Sequence, residues 1–91
     1  MTLADERDFE RILKALANRR RLAIIAFLKK KKQASVGDIA SEIRLSFRAT
    51  SRHLGVLYSA DILEREQQSI QIFYRITNVL RPAARNIVSL L

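Results

Sequence analysis

The 91 residues carry 17 lysines and arginines against 9 acids, a formal charge of +8, and 48% of them are apolar, with only two glycines and one proline. A chain of this length holds one hydrophobic core and no second domain, and its apolar content excludes a disordered polyelectrolyte. With no cysteine, disulfides, thiolate metal sites and thiol redox switches are excluded, while the positive balance points to a polyanion, nucleic acid before an acidic membrane surface.

Near the N-terminus stand Asp5, Glu6, Arg7, Asp8, Glu10 and Arg11, where a signal peptide would place an apolar run. No apolar stretch approaches the roughly 18–20 residues of a membrane span. The chain reads as soluble and intracellular, in the cytoplasm with the nucleoid, and no contact with a membrane is expected.

Over residues 5–17, Phe9, Ile12, Leu13, Leu16 and Ala17 recur at helical spacing. Asp5, Glu6 and Asp8 in the first turn suit the helix dipole, and Glu10 with Lys14 forms an i,i+4 pair worth about 0.3 kcal/mol. Asn18 caps a second helix over residues 19–30. Its middle, from Leu22 to Leu28, is apolar all round, as in a central helix covered on several sides. Arg19, Arg20 and Arg21 precede it, and Lys29, Lys30, Lys31 and Lys32 close it. Those cations either solubilise the ends of a buried helix or contact phosphate, the arginines especially if they lie beside the helix at residues 46–57.

Ser35 opens a short third helix to Ile43, with Asp38 as its capping-box partner. Val36, Ile39, Ala40 and Ile43 form its buried stripe. After Arg44 and Leu45, Ser46 caps a fourth helix over residues 46–57. At about 100° per residue, Arg48, Ser51, Arg52 and Gly55 share an arc roughly 100° wide, and Ala49, Thr50, Leu54 and Leu57 lie elsewhere. Two short helices joined by about three residues make a helix-turn-helix with the second helix as reader. Arg44 stands where the turn usually has glycine, which costs something if the position needs positive φ.

Then the period changes. Residues 62–66 and 70–76 read as two strands. Residues 67–69 form the tip, and without glycine a loose turn of three or more residues is expected. Asn78 caps a last helix, whose apolar Val79, Leu80, Ala83, Ala84, Ile87, Val88 and Leu91 need a cover that a second subunit supplies. The fold is mainly α with a two-stranded β-wing, a winged helix-turn-helix in the order α-α-α-α-β-β-α spanning residues 1–91 as one domain.

Several strings resemble the ArsR/SmtB family of small repressors. Leu16-Ala17-Asn18 with Arg21-Leu22 is like its L-A-[DN]-x-x-R-L, and Asp38-Ile39-Ala40 ahead of Ile43 is like its E-L-A-x-x-L. Leu45-Ser46 with Ser51-Arg52-His53-Leu54 and Val56-Leu57 is like L-S-x-x-x-x-S-R-H-L-x-V-L, and Tyr74-Arg75-Ile76 is like Y-Y-R-L. The match covers about residues 9–77, and the S-R-H-L-x-V-L string is its most specific part. The resemblance implies a homodimer paired through its first and last helices, here Phe9, Ile12 and Leu13 with Leu80, Ala84, Ile87, Val88 and Leu91. It also implies reading helices in successive major grooves of an imperfect palindrome and hairpin wings on the backbone or minor groove, with repression by steric block. The family's metal sites use a C-x-C pair in the third helix or Asp and His in the last. Here the first stretch is Ser35-Val36-Gly37, the last helix has neither ligand, and the chain has one histidine. Neither metal site can form, no cofactor is expected, and the effector is unknown.

Among single residues, Arg48 and Arg52 suit bidentate contact with guanine, and Ser51 suits a phosphate or a base. Ser46 lies at the same helix end. Phe47 either touches a thymine methyl or covers the preceding helix. In the wing, Arg65, Gln67 and Gln68 suit phosphates, whereas Arg75 either does so or pairs with Glu64 or Glu66. His53 reads as a core-edge side chain rather than a base, since Ser51 and His53 point about 160° apart on a helix. No carboxylate pair or phosphate loop is present, so no enzyme is expected. Besides a sequence-specific DNA regulator, two readings stay open: a sequence-tolerant, chromatin-like binder using residues 29–32, and a winged helix for an acidic protein partner.

Overall fold

A computed structural model describes residues 6–91. The expected contribution of Asp5 to the first turn lies outside the described residues. Helices α1 (Glu6–Leu16) and α2 (Arg19–Lys31) are followed by a short strand β1 (Ala34–Ser35). Helices α3 (Val36–Ile43) and α4 (Phe47–Ser59) come next, then strands β2 (Leu63–Gln68) and β3 (Gln71–Ile76) and helix α5 (Pro82–Ser89).

The helix starts follow from short polar side chains. Asn18 accepts from the amides of Arg20 and Arg21 at 3.0 and 3.1 Å, and Ser35 accepts from that of Asp38 at 3.1 Å. Each satisfies orphan donors of a first turn. The apolar middle of α2 is the centre of the molecule: Ile24 and Ile25 are fully buried and Leu28 nearly so. Around them close Ile39 of α3, Leu54 and Leu57 of α4, and Ile62. The i,i+4 pair Glu10–Lys14 forms at 3.8 Å, with both side chains exposed.

Four expectations need correction. First, the sheet has three strands, in the order β1-β3-β2, all antiparallel. Ala34 pairs with Tyr74 and Ser35 with Phe73, a two-residue strand too short to show any period. Second, the hairpin turn is tight. The ladder runs out to Gln68 opposite Gln71, leaving Ser69 and Ile70 as a two-residue turn in which Ser69 takes φ 61°. A positive φ at the first central position matches the twist of the flanking strands, and serine accepts it in glycine's place.

Third, Asn78 does not cap the last helix. Proline disfavours the helical region for the residue before it, and Arg81 is extended (φ −67°, ψ 152°) with Pro82 as the first helical residue. Val79 is left 80% exposed. Fourth, Ile12, Ala84 and Val88 are buried within the chain's own core, where α1 meets α5. Periodicity identified the apolar faces of both helices, but not that they cover one another. Asp8 fastens the same junction, pairing with Arg11 on its own helix and Arg81 at the start of α5.

The buried side of α4 ties it to α2, so a cavity there should loosen the whole domain. Leu54→Ala is expected to lower unfolding free energy by about 2–5 kcal/mol, read from urea denaturation midpoints at unchanged slope.

Candidate nucleic-acid interface

Helix α4 is positioned by its entry and by its inner face. Arg44 ends α3 in the left-handed region (φ 55°, ψ 52°), so the conformation usually given to glycine is held by a basic residue. The amide of Leu45 donates to Ala40 O at 3.0 Å, which turns the chain toward Ser46. The Ser46 hydroxyl then accepts from the amide of Ala49 at 3.1 Å. Thr50, Leu54 and Leu57 are buried, and the Thr50 hydroxyl has no hydrogen-bond partner among the described residues. On the opposite side Arg48, Ser51 and Arg52 are exposed. Neither arginine enters an ion pair or a side-chain hydrogen bond among the described residues, so both guanidinium groups point into solvent without a competing anion. Phe47, the first residue of α4, is 62% exposed and borders a cavity that Val36 and Gly37 of α3 also line.

The arginines that open α2 are mostly committed within the fold. Arg21 donates from Nε to Ala15 O at 2.6 Å and from Nη2 to Lys14 O at 3.2 Å, and its Nη1 lies 3.2 Å from His53 Nδ1. Arginine has no acceptor, so His53 Nδ1 must accept and the ring carries its proton on Nε2. Burial first, then the positive charges of Arg21, Arg20 and Arg52, hold the His53 pKa below its usual 6.5. His53 is thus a neutral, half-buried structural side chain. Arg20 donates to Ile43 O at 3.3 Å, at the end of α3. Arg19 is exposed. At the far end of α2, Lys29 donates to Val88 O at 2.9 Å, while Lys30, Lys31 and Lys32 are exposed.

The wing cations are also engaged. Arg75 pairs with Glu64 at 2.8 Å and Glu66 at 3.9 Å, which settles its role as a cross-strand partner. Thr77 Oγ1 donates to the other Glu64 oxygen at 2.7 Å, and these two donors hold the Glu64 pKa low. Arg65 lies 4.0 Å over the Tyr58 ring of α4, a cation–π contact that fastens wing to helix. Gln67 and Gln68 are exposed at the tip. On α1, Phe9 and Leu13 keep 36% and 40% of their surface exposed; just beyond α5, Leu90 and Leu91 keep 84% and 42%; Leu80 before that helix and Ile87 on it are half-buried. Sequence reasoning named Arg44 in the turn, and its positive φ there is borne out, but it did not count this exposed cation in the candidate interface, and it missed the Tyr58–Arg65 contact. The first carried a signal, a basic residue where glycine is usual; the second depends on strand register.

A helix-turn-helix with an exposed reading face, followed by a hairpin docked on it, defines a winged helix-turn-helix protein. Residues 11–66 match the family described as "Helix-turn-helix domain", and the chain belongs to that family. The transcriptional activator HlyU of Vibrio cholerae is 34% identical over 67 residues, 74% of this chain and 61% of HlyU, so the chain spans about three fifths of that relative. The structure of reduced HlyU superposes with a TM-score of 0.77 at 30% identity, covering 92% of this chain and 84% of that one. The transcriptional repressor PagR of Bacillus anthracis gives 0.75 at 31% identity, covering 91% of each chain. The homodimeric winged helix-turn-helix domain Mb0332 of Mycobacterium bovis, described as a possible ArsR-family regulator, gives 0.77 at 26% identity over 94% of this chain and 82% of that one. The ArsR/SmtB-type reading of the sequence is borne out.

Because its folded pKa is lowered, His53 binds a proton more readily in the unfolded chain. Its contribution to stability is therefore full above the usual histidine value and lost as pH falls from about 6.5 through the lower folded value. Urea midpoints measured from about pH 7.5 to 5 should show this step in the parent and lack it in His53→Gln. The same step in both proteins would assign it to another group.

Proposed function

We propose that the chain is a double-stranded DNA-binding transcription regulator that binds an imperfect palindrome as a homodimer, one α4 from each copy entering the major groove. The observation that carries this reading is the unpaired arc of Arg48, Ser51 and Arg52 on a helix whose other face is core. A guanidinium without a partner is ready to grip guanine O6 and N7 with two hydrogen bonds. The excess of cations supplies the sequence-independent attraction to phosphate. We read the protein as a binding protein and not an enzyme, acting in the cytoplasm on the nucleoid.

Repression by occluding the promoter is the simplest mode, and the description of PagR as a repressor supports it. HlyU is described as an activator. The same binding chemistry serves both outcomes, the sign following from where the operator lies relative to the promoter.

Duplexes selected from a random library by the purified protein give the test. Arg52→Ala should weaken binding to the selected site by about 1–3 kcal/mol and change binding to random duplex little. Equal weakening on both would reduce Arg52 to a phosphate contact and count against base reading.

The homodimer is read from the apolar surface left on the terminal helices, namely Phe9 and Leu13 of α1 with Leu90 and Leu91 beyond α5. Charging Ile87, half-buried against the core, would disturb the fold itself; Leu13 is the cleaner probe. Leu13→Glu should run as a monomer in sedimentation at concentrations where the parent is a dimer, with its helical circular dichroism retained. A dimer of unchanged affinity would move the interface elsewhere.

A further inference from the structure

A cavity of about 660 Å³ lies between α1 and α4, lined by the cations Arg7, Arg11, Lys14, Arg21 and Arg52 with Glu10 as its one acid. Only Arg11 is compensated there, by Asp8 and Asp61. Glu10 meets Lys14 at 3.8 Å with both side chains largely in water, a pairing that contributes little. Arg21 bonds two carbonyls and a neutral imidazole, none of which cancels its charge, and two of its five N–H donors stay free. Arg7 and Arg52 enter no ion pair among the described residues. The lone histidine registers this excess, since after burial the charges of Arg21, Arg20 and Arg52 lower the His53 pKa.

The rest of the lining is apolar. Ala15, Gly55 and Val56 belong to it, and Val56 is 38% exposed. Gly55 sits within α4, where glycine weakens a helix by roughly 0.5–1 kcal/mol relative to alanine. A Cβ at that position would meet no atom within 4 Å, so packing does not demand glycine; its missing side chain keeps the cavity open. Cations beside apolar walls, in a space of this size, are the make-up of a small-ligand site. A duplex backbone would use the cations and leave the walls bare. Arg7, Arg11 and Lys14 lie roughly 150° around α1 from Phe9 and Leu13, so the proposed dimer surface does not share these side chains.

We propose that this cavity binds a small organic anion and that the bound anion releases DNA. Its charged group sits between Lys14, Arg21 and Arg52, and its apolar body lies against Ala15, Gly55 and Val56. Arg52 belongs both to this lining and to the arc of Arg48, Ser51 and Arg52 on α4. A guanidinium clamped on an anion by charge-assisted hydrogen bonds is withdrawn from guanine. Anion and DNA then weaken one another by the same factor, as linkage requires. This inference rests on the assignment of Arg52 as a reading side chain.

The probe is meta-benzenedisulfonate, a dianion with a flat apolar body whose charge does not titrate. Inorganic sulfate has the same charge without the body, and phenol the body without the charge. By NMR on the protein without DNA, the disulfonate should move the Gly55 and Val56 amides saturably and raise the His53 pKa toward the usual 6.5. Sulfate should do so more weakly and phenol not at all. In fluorescence anisotropy with the library-selected duplex, the disulfonate should release DNA at concentrations where sulfate does not. Lys14→Gln should bind the disulfonate about threefold more weakly and keep the parent's slope of log DNA affinity against log salt. Gly55→Leu fills the cavity and keeps every charge; it should lose the disulfonate response at Val56 and His53 with its helical circular dichroism retained. Disulfonate and sulfate acting alike, or amides that do not move, overturn the proposal, as does binding that leaves the DNA complex intact. A salt slope reduced by about one in Lys14→Gln would assign the cavity to a DNA phosphate and also overturns it. A parent without preference among duplexes removes the reading of α4 and with it the release step. Unmoved amides in a parent that does discriminate remove the anion site alone.

Discussion

Three helices meet at one guanidinium. Arg21, in the first turn of α2, donates to Lys14 O and Ala15 O at the end of α1 and holds His53 on α4. The last carbonyls of a helix lack partners within it, so a cation there both satisfies them and complements the dipole. The cost is that His53 must stay neutral to accept. A group that looks available for proton chemistry is a fixed part of the scaffold, and α4 is held on its inner side by a hydrogen bond as well as by Thr50, Leu54 and Leu57.

The same economy of cations runs through the molecule. Arg11 bonds Asp8, Asp61 and Ser59 O, and Arg20 bonds Ile43 O. Lys29 bonds Val88 O, Arg75 bonds Glu64, Arg81 bonds Asp8, and Arg65 lies on Tyr58. Formal charge therefore overstates what a polyanion can reach. The exposed positive groups without such partners include Arg44, Arg48 and Arg52 around α4, and Lys30, Lys31 and Lys32 at the other end of α2. The first group surrounds α4, the proposed reading helix. The second is set apart from it by the length of α2, which suits solubility or a weaker, less specific contact.

Most of the fold could be read from residue pattern because its determinants are local. Asn18, Ser35 and Ser46 each cap the helix that their side-chain chemistry predicts, and the exposed arc of Arg48, Ser51 and Arg52 follows from helical period alone. What escaped depends on partners distant in sequence. Ala34 and Ser35 become a strand only because β3 passes beside them. The extended backbone at Arg81 was within reach of sequence reasoning, since Pro82 imposes it, but the capping chemistry of Asn78 was the stronger local signal. The roles of Ile12, Ala84 and Val88 could not be divided between own core and second subunit, because an apolar stripe records that a face is covered and not what covers it. The same holds for Arg20, Arg21 and Arg65, whose charge is visible in sequence and whose partners are not.

Arg44 shows what the interface asks of the scaffold. A non-glycine residue in the left-handed region carries a steric penalty of roughly 1–2 kcal/mol, and glycine would remove it. The turn instead keeps a long cation at the threshold of α4, beside the amides that open that helix. On the proposed reading of α4, stability and recognition are set against each other at this position: the chain best suited to folding alone would differ here from the chain best suited to meeting DNA. In the sequence, that conflict appears as a basic residue where glycine would be expected.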